Sequence, residues 1–331
     1  MSKILAGTGR GVYCLEHGEV RQTLESRGVR DLFENGGRLF AGTGAGLFVS
    51  DDAGETWQEP VLSEYEIWQV RGHGDTLYAT TQPAALFRSV DNGSNWTEMP
   101  SLAQASNDAG WCIPIDPPVP GRARALVVDT RDADHLWVGV EVGGVMESRD
   151  GGVTWTLVLP GDNPDLHMMY AHPEAPDTIY ASTGYGRLDG VAEMVEGNAG
   201  VFRSDDGGSS WQYAWRGITP RYSRPMCIDS RAPYGLTVAS APPAFSSFKD
   251  DGGAAAMLFR SEDGGESWRS LCDNAHSPAS ANFHGLNVDP DSSGGVLVGT
   301  DTGEAWRVSN DAEWTQIASG LPVVLALIAV A

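Results

Sequence analysis

The sequence predicts an all-β fold, a seven-bladed β-propeller of four-stranded antiparallel blades, on three observations: a recurring Ser-to-Trp turn, a repeated strand grammar around it, and chain ends that complement each other. The turn first appears as Ser50-x-Asp52-x-Gly54-x-Thr56-Trp57. It returns at Ser89 to Trp96, Ser148 to Trp155, Ser204 to Trp211 and Ser261 to Trp268, with a shortened copy at Ser309 to Trp314. Successive serines lie 39, 59, 56, 57 and 48 residues apart, which is the period of a propeller blade.

Each copy makes physical sense as a turn between antiparallel strands. The Asp carboxylate accepts N–H groups within the loop, the Gly supplies positive φ, and the Ser or Thr hydroxyl adds a local bond. The closing Trp can pack between neighbouring sheets while its indole N–H reaches a polar atom. Structural turns are therefore expected at Asp52, Asp91, Asp150, Asp206, Asp263 and Asp311.

Three β-type runs surround most of these turns. The innermost are the segments 29–34, 66–71, 124–129, 167–172, 224–229 and 284–289; each leads into a second run such as Leu39-Phe40-Ala41-Gly42-Thr43 or Leu136-Trp137-Val138-Gly139-Val140, then a third such as 46–49 or 144–147. A fourth, outer strand follows each Trp. No amphipathic helix of ordinary length interrupts the series.

The ends supply the seventh blade. Residues 1–28 contain three strand-like runs and lack an innermost one, while residues 323–331 are a lone apolar run, Val323 to Val330. Pairing them closes the array and removes an exposed edge. One domain over residues 1–331 is expected. The apolar end is about ten residues long, against the roughly 20 that a spanning helix needs, so it reads as a buried strand with no membrane insertion. The start shows no signal-peptide pattern, and a cytoplasmic location is the expectation.

Composition narrows the partners. With 22 basic against 44 acidic residues the net charge is −22, which opposes nucleic acid and anionic membranes. Cys14, Cys112, Cys227 and Cys272 fall in separate blades without CxxC spacing, so neither a disulfide framework nor a structural zinc site is expected.

On the repeated turns the chain resembles the Asp-box or BNR-repeat β-propellers, in particular the photosystem II assembly factor-like, xyloglucanase-like and sortilin-like groups. The resemblance implies that the Asp-box carboxylates are structural, and it leaves activity open because such propellers serve unrelated tasks.

Candidate site residues come from registering the innermost runs. Counting back five positions from Glu34, Arg71, Asp129, His172, Asp229 and Asp289 gives Val29, Glu66, Arg124, His167, Arg224 and His284, five of the six ionisable and those five expected at one mouth of the central channel. The arginines suit a carboxylate or phosphate, and Glu66, His167 and His284 suit proton transfer or a divalent metal, while the sequence leaves the cofactor otherwise open. Glu141 and the glycine-rich stretch carrying Tyr185, Arg187, Asp189 and Glu193 are expected to complete the site. No nucleophile elbow, P-loop or dinucleotide fingerprint is present. The leading expectation is a non-catalytic binding or assembly scaffold for a small polar or anionic ligand, or for a protein with a basic patch. The alternative is a hydrolase or lyase acting on a saccharide or another polar metabolite, with Glu66, His167 and His284 catalytic and a metal assisting.

Overall fold

The computed structural model describes residues 2–158 and 164–330; Met1 and Ala331, the outermost residues of the expected closing blade, lie outside them. The chain forms two compact units, residues 1–64 with 217–331, and residues 65–216. Each consists of whole blades.

In the first unit the closing blade joins both chain ends. Val324–Val330 lies innermost and pairs antiparallel with Lys3–Thr8, which is followed by Gly11–Glu16 and Glu19–Glu25. The register sets Ile4 opposite Ala329 and Ala6 opposite Leu327, so the apolar C-terminal run is a sheet strand. Asp31–Asn35, Arg38–Thr43 and Gly46–Ser50 form the next sheet. Its fourth strand is reduced to bonds from Gln58 N to Val49 O (2.8 Å) and between Val61 and Leu47 (2.8 and 3.0 Å). Two four-stranded sheets complete the unit: Tyr222–Ile228, Leu236–Ala241, Met257–Ser261 and Arg269–Ser270, then Phe283–Val288, Val296–Thr300, Ala305–Val308 and Trp314–Ala318. Alternating inward side chains such as Leu258, Phe283, Val296 and Val298 build the core between these two sheets.

The second unit holds three four-stranded sheets. They are Glu66–His73, Thr76–Gln82, Leu86–Ser89 and Thr97–Met99; Ala123–Asp129, Asp132–Val140, Gly144–Ser148 and Thr156–Leu157; and Asp165–His172, Ala175–Gly184, Gly200–Ser204 and Gln212–Tyr213. A short helix, Pro100–Asp108, departs from the expectation of uninterrupted strands. Proline in its first turn favours initiation, and Leu102 anchors it in the core. Its Ser101 hydroxyl donates to Gly152 O at 2.6 Å and accepts the Trp155 indole N–H at 2.9 Å, which ties the helix to the Asp box of the next blade.

Five Asp boxes share one geometry. At Ser148 to Trp155, the buried Ser148 hydroxyl donates to Asp150 Oδ1 and accepts the Gly152 N–H, both at 2.8 Å, while Asp150 accepts the Thr154 N–H and hydroxyl at 2.8 and 2.6 Å. These bonds hold the carboxyls low: Asp52, Asp91 and Asp150 lie at about 2, and Asp206 is lowered for the same reason. The shortened copy differs. Ser309 Oγ accepts from Asp311 N and Glu313 N at 3.2 and 3.1 Å, and among the described contacts the Asp311 carboxylate does not cross its loop. Losing two residues removed the N–H and hydroxyl that the carboxylate would have accepted.

Candidate functional site

Five of the seven innermost strands share a defect at an ionisable or aromatic residue, whereas Val324–Val330 shifts at Leu325 and Asp31–Asn35 pairs without a shift. Pairing shifts by one residue between Ile67 and Gln69, Ala123 and Ala125, Leu166 and Met168, Ser223 and Met226, and Phe283 and Gly285. The bulges thus fall at Trp68, Arg124, His167, at Arg224 with Pro225, and at His284. A bulge leaves one residue out of the ladder and re-aims its side chain. Four of the five positions are those found by registering the sequence. The fifth is a correction: His73 closes its hairpin opposite Thr76 as Asp129 does opposite Asp132, so five residues back lies Trp68 and not Glu66. The turn after Glu66–His73 comes two residues later than the sequence pattern implied, and Glu66 pairs with Gln82 at the start of its strand.

Within the 65–216 unit, Trp68, Arg124 and His167 belong to one cluster. Arg124 Nη1 pairs with Glu141 Oε1 at 2.8 Å, and Arg122 Nη1 lies 3.2 Å from Glu141 Oε2. Both guanidiniums sit over the Trp68 ring, 5.2 and 4.9 Å from its centroid, in cation–π range. Asp165 Oδ1 lies 3.1 Å from His167 Nε2. One ligand atom from each of Glu141, Asp165 and His167 falls within 4.8 Å of the others. All three residues are buried, His167 completely so in its side chain. Burial lowers the His167 pKa, with Arg124 adding to the effect and Asp165 opposing it, so the ring is neutral at neutral pH.

Two carboxylate donors and an imidazole could coordinate a divalent cation. Glu141 Oε2, which is buried and has the Arg122 ion pair at 3.2 Å but no hydrogen bond, fits that role. This donor set differs from the expected one of Glu66, His167 and His284. His284 is in the other unit, where Arg224 Nη1 lies 3.1 Å from its Nδ1. A guanidinium only donates, so Nδ1 is the acceptor and the His284 proton sits on Nε2. Arg224 also donates to Ala244 O at 2.6 Å and stacks on Tyr222.

The loop residues form their own network. Arg187 pairs with Asp189 at 2.5 Å and Glu193 at 3.1 Å, all substantially exposed, and Tyr185 O accepts the Glu193 N–H at 2.8 Å. The loop base reaches the cluster: a side chain at Gly186 would lie 3.0 Å from Val142 Cγ2 and 3.6 Å from Asp165 Cβ. Sequence reasoning missed Arg122, Asp165 and Trp68. The signal was spacing, because Asp165-Leu-His167 places a charged pair two apart in a strand and Arg122-Ala-Arg124 places one across the start of the strand Ala123–Asp129.

Comparisons with known proteins agree with this architecture. Residues 48–59 match the BNR/Asp-box repeat. The oligoxyloglucan-reducing end-specific xyloglucanase of Emericella nidulans is 24% identical over 302 residues, covering 76% of this chain and 34% of that protein. Among solved structures, the GH74 enzyme of Niastella koreensis superposes with a TM-score of 0.66 at 18% identity, over 96% of this chain and 47% of that one. YCF48 from Cyanidioschyzon merolae gives 0.58 at 14% identity, over 88% and 86%. The chain is a seven-bladed Asp-box β-propeller. It resembles GH74 xyloglucanases and YCF48 propellers, and it spans about a third of the xyloglucanase it matches. Among the described residues no helix is long and apolar enough to cross a membrane.

The expectation of a non-catalytic scaffold is corrected by two of these findings together. One is the likeness to xyloglucanases, by sequence over 76% of the chain and by fold over 96%. The other is the buried Glu141–Asp165–His167 cluster, a costly arrangement for a purely structural blade.

Proposed function

We propose that the protein is a saccharide-directed hydrolase whose reacting carboxylates are Glu141 and Asp165. The observation that carries the reading is their approach to within 4.8 Å beside a neutral, buried imidazole. Glycosidases work with a carboxylate pair, and a separation of about 5 Å belongs to double displacement, whereas inversion needs about 6.5–9.5 Å to admit water. Glu141, held by Arg122 and Arg124, is the nucleophile at the anomeric carbon. Asp165, in its protonated form, donates that proton to the leaving oxygen as the bond from the sugar to Glu141 forms, and the resulting carboxylate takes one from the incoming water as that bond is hydrolysed, with the neutral His167 ring 3.1 Å away orienting it. With no exposed side-chain surface, His167 acts through Asp165 and does not touch substrate. A divalent cation held by Glu141, Asp165 and His167 would supply Lewis-acid charge at a sugar oxygen. The names of the sequence relatives make xyloglucan oligosaccharides the first substrates to try.

The test is release of reducing ends from a glycan panel led by xyloglucan oligosaccharides, with EDTA or added Mn²⁺ in parallel. Glu141→Gln and Asp165→Asn are each expected to lose at least about 100-fold in kcat, the usual range for a general acid or base. NMR of the first-formed anomer should show retention. No turnover of any glycan by the wild-type protein, or full activity in both variants, would remove the reading. Insensitivity to EDTA would remove the metal alone.

A further inference from the structure

The residue after Glu141 adopts a conformation that its chemistry resists. Val142 has φ of +51°, and it is the only β-branched residue among the eight described non-glycine residues with positive φ. Branching at Cβ makes that region a true outlier, maintained only where the surroundings enforce it. Val142 occupies the middle of the turn that joins Asp132–Val140 to Gly144–Ser148, and it is buried. On one side, Gly143 lies so close to Trp111 that a side chain there would come within 2.8 Å of the ring. On another, a side chain at Gly186 would come within 3.0 Å of Val142 Cγ2 and 3.6 Å of Asp165 Cβ, so only a glycine there leaves both side chains in place. The Glu141 N–H is fixed to Arg122 O at 3.0 Å.

Resting on the hydrolase reading, we infer that Val142 is a positioning residue: its left-handed turn aims Glu141 at Arg122 and Arg124, and its side chain, beside the space that Gly186 leaves open towards Asp165, sets the spacing between the Glu141 and Asp165 carboxylates. A relaxed turn would let Glu141 swing away from the guanidiniums. Trp111 and Gly186 together supply the enforcement. A displacement of about 1 Å at a reacting group is enough to cost about 100-fold in rate.

Three variants test this. Val142→Gly frees the turn, Val142→Asn keeps a residue that tolerates the left-handed region, and Gly186→Val crowds both Val142 and Asp165. Val142→Gly is expected to lower kcat at least about tenfold with KM within about threefold, while Val142→Asn recovers most of the loss. Gly186→Val should lower kcat without removing Glu141 from its arginines. Crystal structures of the wild-type protein and Val142→Gly give a readout independent of activity, because Glu141 should leave Arg122, Arg124 or both in the variant. An unmoved Glu141 in Val142→Gly overturns the inference whatever the turnover. A wild-type protein without glycan turnover overturns the hydrolase reading, and the Glu141 position in the two crystals then still decides the role of Val142.

Discussion

Replacing Ser148 with alanine isolates the one hydroxyl on which an Asp box depends. Ser148 is 2% exposed, and its Oγ is the acceptor for the Gly152 N–H at 2.8 Å. Gly152 is itself buried, with φ of +86°, and stands so close to Leu86 that a side chain would clash. In Ser148→Ala the loop keeps its shape, because Asp150 still holds Thr154 by two bonds and Val153 by one. The Gly152 N–H therefore stays buried and loses its partner, at a cost of about 1–3 kcal/mol. Ser309→Ala is the internal control. There the hydroxyl accepts from the N–H groups of Asp311 and Glu313, both exposed residues that water can satisfy, so the loss should stay within about 0.5 kcal/mol. Equilibrium urea unfolding of both variants, compared at unchanged m-value, reads the difference. Equal losses, or a Ser148→Ala protein as stable as wild type, would refute the argument that burial of the glycine N–H, and not the Ser–Asp contact, gives the motif its worth.

Acid should weaken the fold through the same turns. Folded-state carboxyls at Asp52, Asp91 and Asp150 lie at about 2, below the unfolded value near 3.8, so their contribution is complete above pH 4 and is lost as pH falls from about 4 to 2. Urea midpoints taken from pH 6 to 2.5 should drop through that window, and Asp52→Asn should flatten the slope; an unchanged slope would contradict the assignment. His135 bridges Asp129 at 3.1 Å and Glu147 at 2.8 Å while its ring lies on Trp137. His135→Ala should destabilise by about 3 kcal/mol, the low end for removing one member of a buried ionic network, because Arg131 and Arg149 remain on the two carboxylates. A loss below about 1 kcal/mol in urea unfolding would show that those arginines already satisfy the network.

The fold was legible because its signal is repeated and local. A Ser, an Asp, a Gly and a Trp at fixed offsets define a turn whose hydrogen bonds close within eight residues, and the structure reproduces them in five copies. The closing blade was legible from composition, since Val324 to Val330 had no other sheet to join. The helix Pro100–Asp108 was not, because its Ser, Gln, Asn and Asp content reads as a loop and only Leu102 and Ser106 are buried. The site was half legible. Bulges at equivalent depth explain why a count along the sequence reached Arg124, His167, Arg224 and His284, and a hairpin closing two residues later explains why it reached Glu66 in place of Trp68. Asp165 escaped because the count sampled one position per strand, and Arg122 because it precedes the strand Ala123–Asp129.

The charge of the site also redirects the choice of ligand. Arg124 drew attention as a grip for an anion, and a chain of net charge −22 would need such a grip to hold one. In the structure Arg124 and Arg122 both face Glu141, so two guanidiniums are set against the Glu141 and Asp165 carboxylates beside a neutral imidazole. Formal charge in the cluster sums to zero with both carboxylates ionised and to +1 when Asp165 carries the proton of the acid step. An anionic ligand would have to displace Glu141 from its arginines and leave a buried carboxylate behind, a penalty of several kcal/mol. An uncharged polyhydroxyl chain disturbs none of those pairs and can exchange hydrogen bonds with their outer edges. A neutral glycan is not repelled by the net negative charge that opposes polyanions, which is consistent with the saccharide-directed reading proposed above.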